Sequence, residues 1–186
     1  EMAKNKTGKK KIVVASILAA LAMQTASVID VAAAVGDQPS AAIANGSVTS
    51  GKTNGLAIGN FASSGSNQSI AIGYYSVATA TEADPALPAT AVGAGANATG
   101  QSTVALGLLA QATSGSTTAL GAKSVASEDA AVAVGYGTKA TGNYASALGA
   151  DATASNNDAT AFGHGTVASG GSSTALGSRA KAGGTA

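Results

Sequence analysis

Along this chain, small and bulkier apolar residues alternate over short stretches, and each stretch stops at a glycine. Nine tetrapeptides carry the pattern: Leu56-Ala57-Ile58-Gly59, Ile70-Ala71-Ile72-Gly73, Thr90-Ala91-Val92-Gly93, Val104-Ala105-Leu106-Gly107, Thr118-Ala119-Leu120-Gly121, Val132-Ala133-Val134-Gly135, Ser146-Ala147-Leu148-Gly149, Thr160-Ala161-Phe162-Gly163 and Thr174-Ala175-Leu176-Gly177. Seven of the eight intervals between these glycines are 14 residues, and the eighth, Gly73 to Gly93, is 20. A period that strict marks one small unit stacked on itself.

With each glycine numbered position 0, the rest of the unit falls into register. Position 12 is Ala throughout, and position 13 is Ile, Val, Leu or Phe. Position 3 is small (Ala62, Ser76, Ala96 and so on), and position 5 is Ala in seven consecutive copies from Ala78 to Ala168. In an extended chain, positions 11 and 13 share one face and position 12 takes the other. Positions 3 and 5 share a face in the same way. Each unit therefore predicts two short strands, over roughly positions 2 to 6 and 10 to 13. The glycine at 0 supplies the turn between them. A second, polar turn falls near positions 7 to 9, as in Gly100-Gln101 and Gly142-Asn143. No stretch has helical apolar spacing, and recurrent glycine and β-branched residues oppose a helix. The predicted fold is an all-β parallel β-solenoid flattened into a roll, with coils about 4.8 Å apart.

Composition changes the picture in one respect. Aromatic residues make up 3% and charged residues 10% of the 186 positions, so no core of large side chains can form. Each coil offers one sizeable apolar side chain, at position 13, against the entropy of ordering a whole coil. Both strand faces carry apolar or small residues. One face can fill the roll while the other meets a second copy, so a homo-oligomer is expected. Cysteine is absent, which excludes disulfides and thiolate metal sites.

The net charge of +1 conceals a split. Five basic residues lie in the first 11 positions, whereas from Val35 onward five basic residues face seven acidic ones, a net of −2. A mildly acidic body with scattered charge gives no support to nucleic-acid binding, and no nucleic-acid partner is expected. The basic Lys4 to Lys11, the apolar Ile12 to Met23 and the small Ala32-Ala33-Ala34 have the layout of a secretory signal peptide. The expected cut follows Ala34, with Ser27 as the alternative. The predicted organisation is thus a targeting segment over 1–34, an N-terminal capping segment over 35–55 and a β-roll over 56–186. The degenerate Ala42-Ile43-Ala44-Asn45 fits a cap.

The V-A-I-G-like strand, the small residue at 3, Ala at 5 and the polar turn, repeated in phase over 56–186, resemble the head repeat of the trimeric autotransporter adhesins. Val104 through Ala112 and Val132 through Ala140 fit it best. The resemblance implies a left-handed parallel β-roll, homotrimeric, secreted across the inner membrane and displayed on the bacterial surface. It implies non-catalytic adhesion to host matrix proteins of the collagen-like, fibronectin or laminin class, or to cell-surface receptors. Family members carry a neck, a coiled-coil stalk and a C-terminal β-barrel anchor. Neither heptads nor membrane strands occur in this sequence, so an excised head, joined to a membrane only through an absent anchor, is expected.

Two regions are candidate binding sites. Phe61, Tyr74, Tyr75, Leu108 and Leu109 occupy positions 1 and 2 of N-terminal coils and predict an apolar and aromatic strip at one edge of the roll. Burial against a neighbouring subunit is the equal alternative. The six extra residues between Gly73 and Gly93 fall within Thr79 to Ala89, a segment holding Glu82, Asp84, Pro85 and Pro88. Proline and acid predict an outward bulge there, read as a tolerated insertion ahead of a ligand-contacting loop.

No cofactor is expected. His164 is the sole histidine and has no carboxylate cluster at ligand spacing, so neither a metal site nor a triad is expected. The loose G-x-G-x-x-A strings, such as Gly135 to Ala140, recur coil after coil and read as structure rather than as dinucleotide sites. Two other functions fit a β-solenoid. Ice binding needs a regular threonine array, which position 11 breaks with Val, Ile and Ser. A purely structural fibre segment is the other.

Overall fold

The structure is a computed structural model, and it describes residues 41–43, 47–48, 54–80 and 87–184. The predicted targeting segment over 1–34 lies outside the described residues. Strands of three and two residues alternate along the chain, from Ala41–Ile43 and Ser47–Val48 to Thr174–Leu176 and Lys181–Ala182. The three-residue strands form one sheet and the two-residue strands another, each ten-stranded among the described residues. Every pairing is parallel and joins one coil to the next, as in Thr118↔Val132, Ala119↔Ala133 and Leu120↔Val134. The roll thus has about nine coils at the 14-residue spacing. Ala41–Ile43 extends the long-strand sheet by pairing with Leu56–Ile58. The short strands are tighter than the sequence predicts. They cover only positions 4 and 5, as in Val77–Ala78 and Val125–Ala126.

The two sheets enclose a narrow interior filled mainly from positions 3, 5, 10 and 12, with position 7 buried on several coils, as at Ser66 and Gly100. Every buried apolar residue among those described is an alanine. The largest fully buried side chains are Thr103, Thr117, Thr138 and Thr166. In each long strand from Leu56–Ile58 onward the alanine at 12 points inward, and the larger residues at 11 and 13 point out.

Hydroxyls inside the roll are matched to turn carbonyls, which removes the cost of burying them. At position 10, Thr103 Oγ1 donates to the Gly100 carbonyl at 2.8 Å and Thr117 Oγ1 to the Ser114 carbonyl at 2.9 Å. At position 3, Ser124 Oγ donates to the Gly121 carbonyl at 2.8 Å, and Thr138 Oγ1 crosses to the next coil's Gly149 carbonyl at 2.8 Å.

Each coil is built from two similar halves. Positions 2 and 9 both take the left-handed conformation, as at Leu109 (φ 57) and Ser116 (φ 55), or Lys123 (φ 60) and Ala130 (φ 53). These two turns form the two edges of the flattened roll. The glycine at 0 is required by space as well as by φ. Gly121 has φ +127, and a Cβ there would lie 2.4 Å from the Gly135 carbonyl oxygen.

Register survives the long interval between Gly73 and Gly93, where Ile70–Ile72 still pairs with Thr90–Val92. Two buried serines of the preceding coil hold the base of the insertion. Ser66 Oγ accepts from the Ala80 N–H and Ser69 Oγ from the Ala89 N–H, both at 3.0 Å, and the two hydroxyls bond each other. The extra residues therefore leave and rejoin the chain at the edge made by positions 7 to 9.

Candidate functional site

Three surfaces follow from this winding. The outer face of the long-strand sheet is the first. Position 13 makes an unbroken apolar column: Ile58, Ile72, Val92, Leu106, Leu120, Val134, Leu148, Phe162 and Leu176. Leu106, Leu120, Phe162 and Leu176 are exposed, and no residue at position 11 or 13 of these strands is charged. Contiguous apolar faces of this kind are characteristic of protein–protein interfaces.

The edge at positions 0 to 2 is the second surface. Here the structure brings three of the sequence-predicted residues together. The rings of Phe61 and Tyr75 stack with centroids 4.6 Å apart and planes 20° apart. Tyr74 stands edge-on to both, at 6.2 Å from Phe61 and 4.5 Å from Tyr75. Phe61 (φ 61), Tyr75 (φ 54) and Leu109 (φ 57) all hold left-handed backbones, which bulky residues seldom adopt. Leu109 reaches back over the preceding coil, where a Cβ on Gly95 would come within 2.7 Å of Leu109 Cδ2. Gly95 thus makes room for Leu109, and Leu108 stands beside it on the same edge. The strip is more than half exposed at Phe61, Tyr74, Tyr75 and Leu108.

Glu82 and Asp84 lie outside the described residues, as does Pro85. The described residues that flank them, Ala80 and Ala89, stand at the opposite edge from the aromatic cluster.

That opposite edge, at positions 7 to 9, is the third surface, and it is polar. Its side chains cap the coil before. Asp129 Oδ1 accepts from the Gly115 N–H at 3.0 Å, and Asn157 Oδ1 from the Asn143 N–H at 3.2 Å. Sequence reasoning missed two exposed aromatics. Tyr144 stands on this polar edge in a left-handed turn (φ 58), and Tyr136 on the other edge lies under Lys123 Nζ at 5.7 Å. A lone aromatic in a column of otherwise small or polar residues, from Gln68 to Ser172, was the available signal for Tyr144.

His164 is exposed in its turn, and no group of three His, Cys, Asp or Glu among the described residues could hold a metal ion. The short-strand sheet carries a hydroxyl at position 6 on seven coils, from Thr79 to Ser169. The neighbouring column at position 4 mixes Val77, Asn97, Gln111 and Lys139, so the hydroxyls form a single line and not a flat array.

The family model of the YadA head domain repeat (2 copies) matches residues 50–76, 88–110, 112–138, 140–166 and 168–186. The gap at 77–87 coincides with the insertion. Among solved structures, the chain is similar to the crystal structure of the collagen-binding domain of the Yersinia adhesin YadA. The two share 28% sequence identity at a TM-score of 0.53, over 70% of this chain and 62% of that one. The similarity thus spans less than two thirds of that domain. No curated protein matches the chain.

Proposed function

The chain belongs to the family of YadA head repeats, as an adhesin head, and on that premise we propose that it binds a host extracellular-matrix protein of the collagen class as a homotrimer. The head is displayed at the bacterial surface and acts by adhesion without catalysis. Three copies bring their long-strand sheets together, which covers the apolar column from Ile58 to Leu176. The aromatic and polar edges remain open to partners.

The observation that carries the binding reading is the Phe61, Tyr74 and Tyr75 cluster. Proline-rich chains in the extended polyproline conformation dock on exposed aromatic rings, because the ligand is already rigid and the rings cover its pyrrolidines. Collagen strands have that conformation. Holding Phe61 and Tyr75 in left-handed turns costs stability on each coil, and a binding role explains why they stand where glycine serves equally well in later coils. The insertion that carries Glu82 and Asp84 is a tolerated excursion in this reading.

The test is binding of the assembled protein to immobilised triple-helical collagen, with heat-denatured collagen and fibronectin alongside. Saturable binding to the triple helix that is lost on replacing Phe61, Tyr74 and Tyr75 together supports the proposal. Binding that is unchanged by that replacement, or absent, rejects it.

A further inference from the structure

On the polar edge, four successive coils between Gly100 and Tyr144 border a groove of about 660 Å³. That size falls within the range of small-ligand sites, about 300–1,000 Å³. The groove exists because position 9 is short on the middle coils, with Ser116 and Ala130. On the next coil, Tyr144 raises a ring that is 65% exposed. Within the groove, Asp129 is fixed: its Oδ1 accepts both the Gly115 N–H and the Ser114 hydroxyl. One carboxylate oxygen is thereby held by the fold, and Oδ2 is left for a ligand. Gln101 contributes a primary amide on the first coil. The lining contains no cation, and the residue next to Asp129 is the acidic Glu128.

An oriented carboxylate, an amide and an exposed ring around a polar hollow are complementary to a sugar. The C–H face of a pyranose packs on the ring, and its hydroxyls donate to the carboxylate and pair with the amide. The Asp129 carboxylate, with no cation in the lining to offset it, repels an anionic glycan. We propose that this groove binds a neutral hexose-containing oligosaccharide. The site lies on the edge opposite Phe61 and Tyr75, so it is independent of matrix-protein binding by the aromatic cluster.

Saturation-transfer NMR on the full chain tests this with lactose, maltotriose and 3′-sialyllactose as probes. Saturation of at least one neutral sugar is expected, and its affinity should fall about tenfold in Tyr144→Ser and in Asp129→Asn, the loss of one ring contact or one charge-assisted hydrogen bond. Both variants copy residues that the roll already holds at equivalent positions. Ser116 and Ser172 occupy position 9, and Asn157 caps Asn143 as Asp129 caps Gly115. Folding is therefore preserved, and collagen binding should be unchanged. Three results would each overturn the proposal: no saturation of either neutral sugar, undiminished binding in Tyr144→Ser, or sialyllactose bound as tightly as lactose.

Discussion

Ala119 and Leu120 are neighbours in one strand, yet Ala119 is fully buried while Leu120 is 39% exposed. The smaller side chain faces the core and the larger one faces away. The gap between the two sheets admits methyl and hydroxyl groups, so added volume there has nowhere to go. Ala119 is stacked between Ala105 and Ala133. Ala119→Val is expected to destabilise the roll by about 1–3 kcal/mol through overpacking, measured by denaturant unfolding.

The glycine column should be equally intolerant. Gly121→Ala combines a left-handed φ of +127 with a Cβ 2.4 Å from a backbone oxygen. A loss of at least about 1–3 kcal/mol is expected, read as a lower midpoint in thermal unfolding. Gly171 is the control, since a Cβ there meets nothing within 4 Å. Gly171→Ala should leave the midpoint unchanged or raise it slightly.

The buried hydroxyls make a separable contribution. Thr117→Val keeps the volume and removes the bond from Oγ1 to the Ser114 carbonyl. The expected cost is about 1 kcal/mol in denaturant unfolding. A neutral result would show that shape alone decides position 10.

The aromatic strip should trade stability for binding. Gly95, Gly137 and Gly165 occupy position 2 in other coils, with φ near +64. Phe61→Gly with Tyr75→Gly relieves two left-handed turns at the cost of one ring stack. Thermal stability should therefore hold or rise, while collagen affinity falls about tenfold or more, measured on a sensor surface. A fall in stability with binding intact would assign the cluster a packing role.

The sequence displayed the period, the parallel winding, the alanine at position 12 and the glycine turns, because each depends on local backbone geometry repeated in register. Alternation alone left open which strand face turns inward. Position 12 against positions 11 and 13 is symmetrical in pattern, and only the narrowness of the roll selects Ala119 over Leu120. Position 1 and 2 residues were legible as an edge, but the stacking of Phe61 on Tyr75 depends on both being left-handed. A phenylalanine gives no sequence sign of that backbone. Tyr144 was legible as a lone aromatic in its column, but the groove beside it arises from what Ser116 and Ala130 leave empty, which no motif records.

The central claim is that an alanine-filled roll turns its bulky residues outward for other copies to cover, and solution mass tests it most directly. Sedimentation or native mass measurement of the chain should give three times its 17.4 kDa. Leu106→Asp with Leu120→Lys places an opposite-charge pair on adjacent strands of the apolar face. This pair should dissociate the assembly while leaving the β-rich circular dichroism intact. A stable 17.4 kDa monomer of the unaltered chain, or a threefold assembly that survives those two charges, would contradict the account.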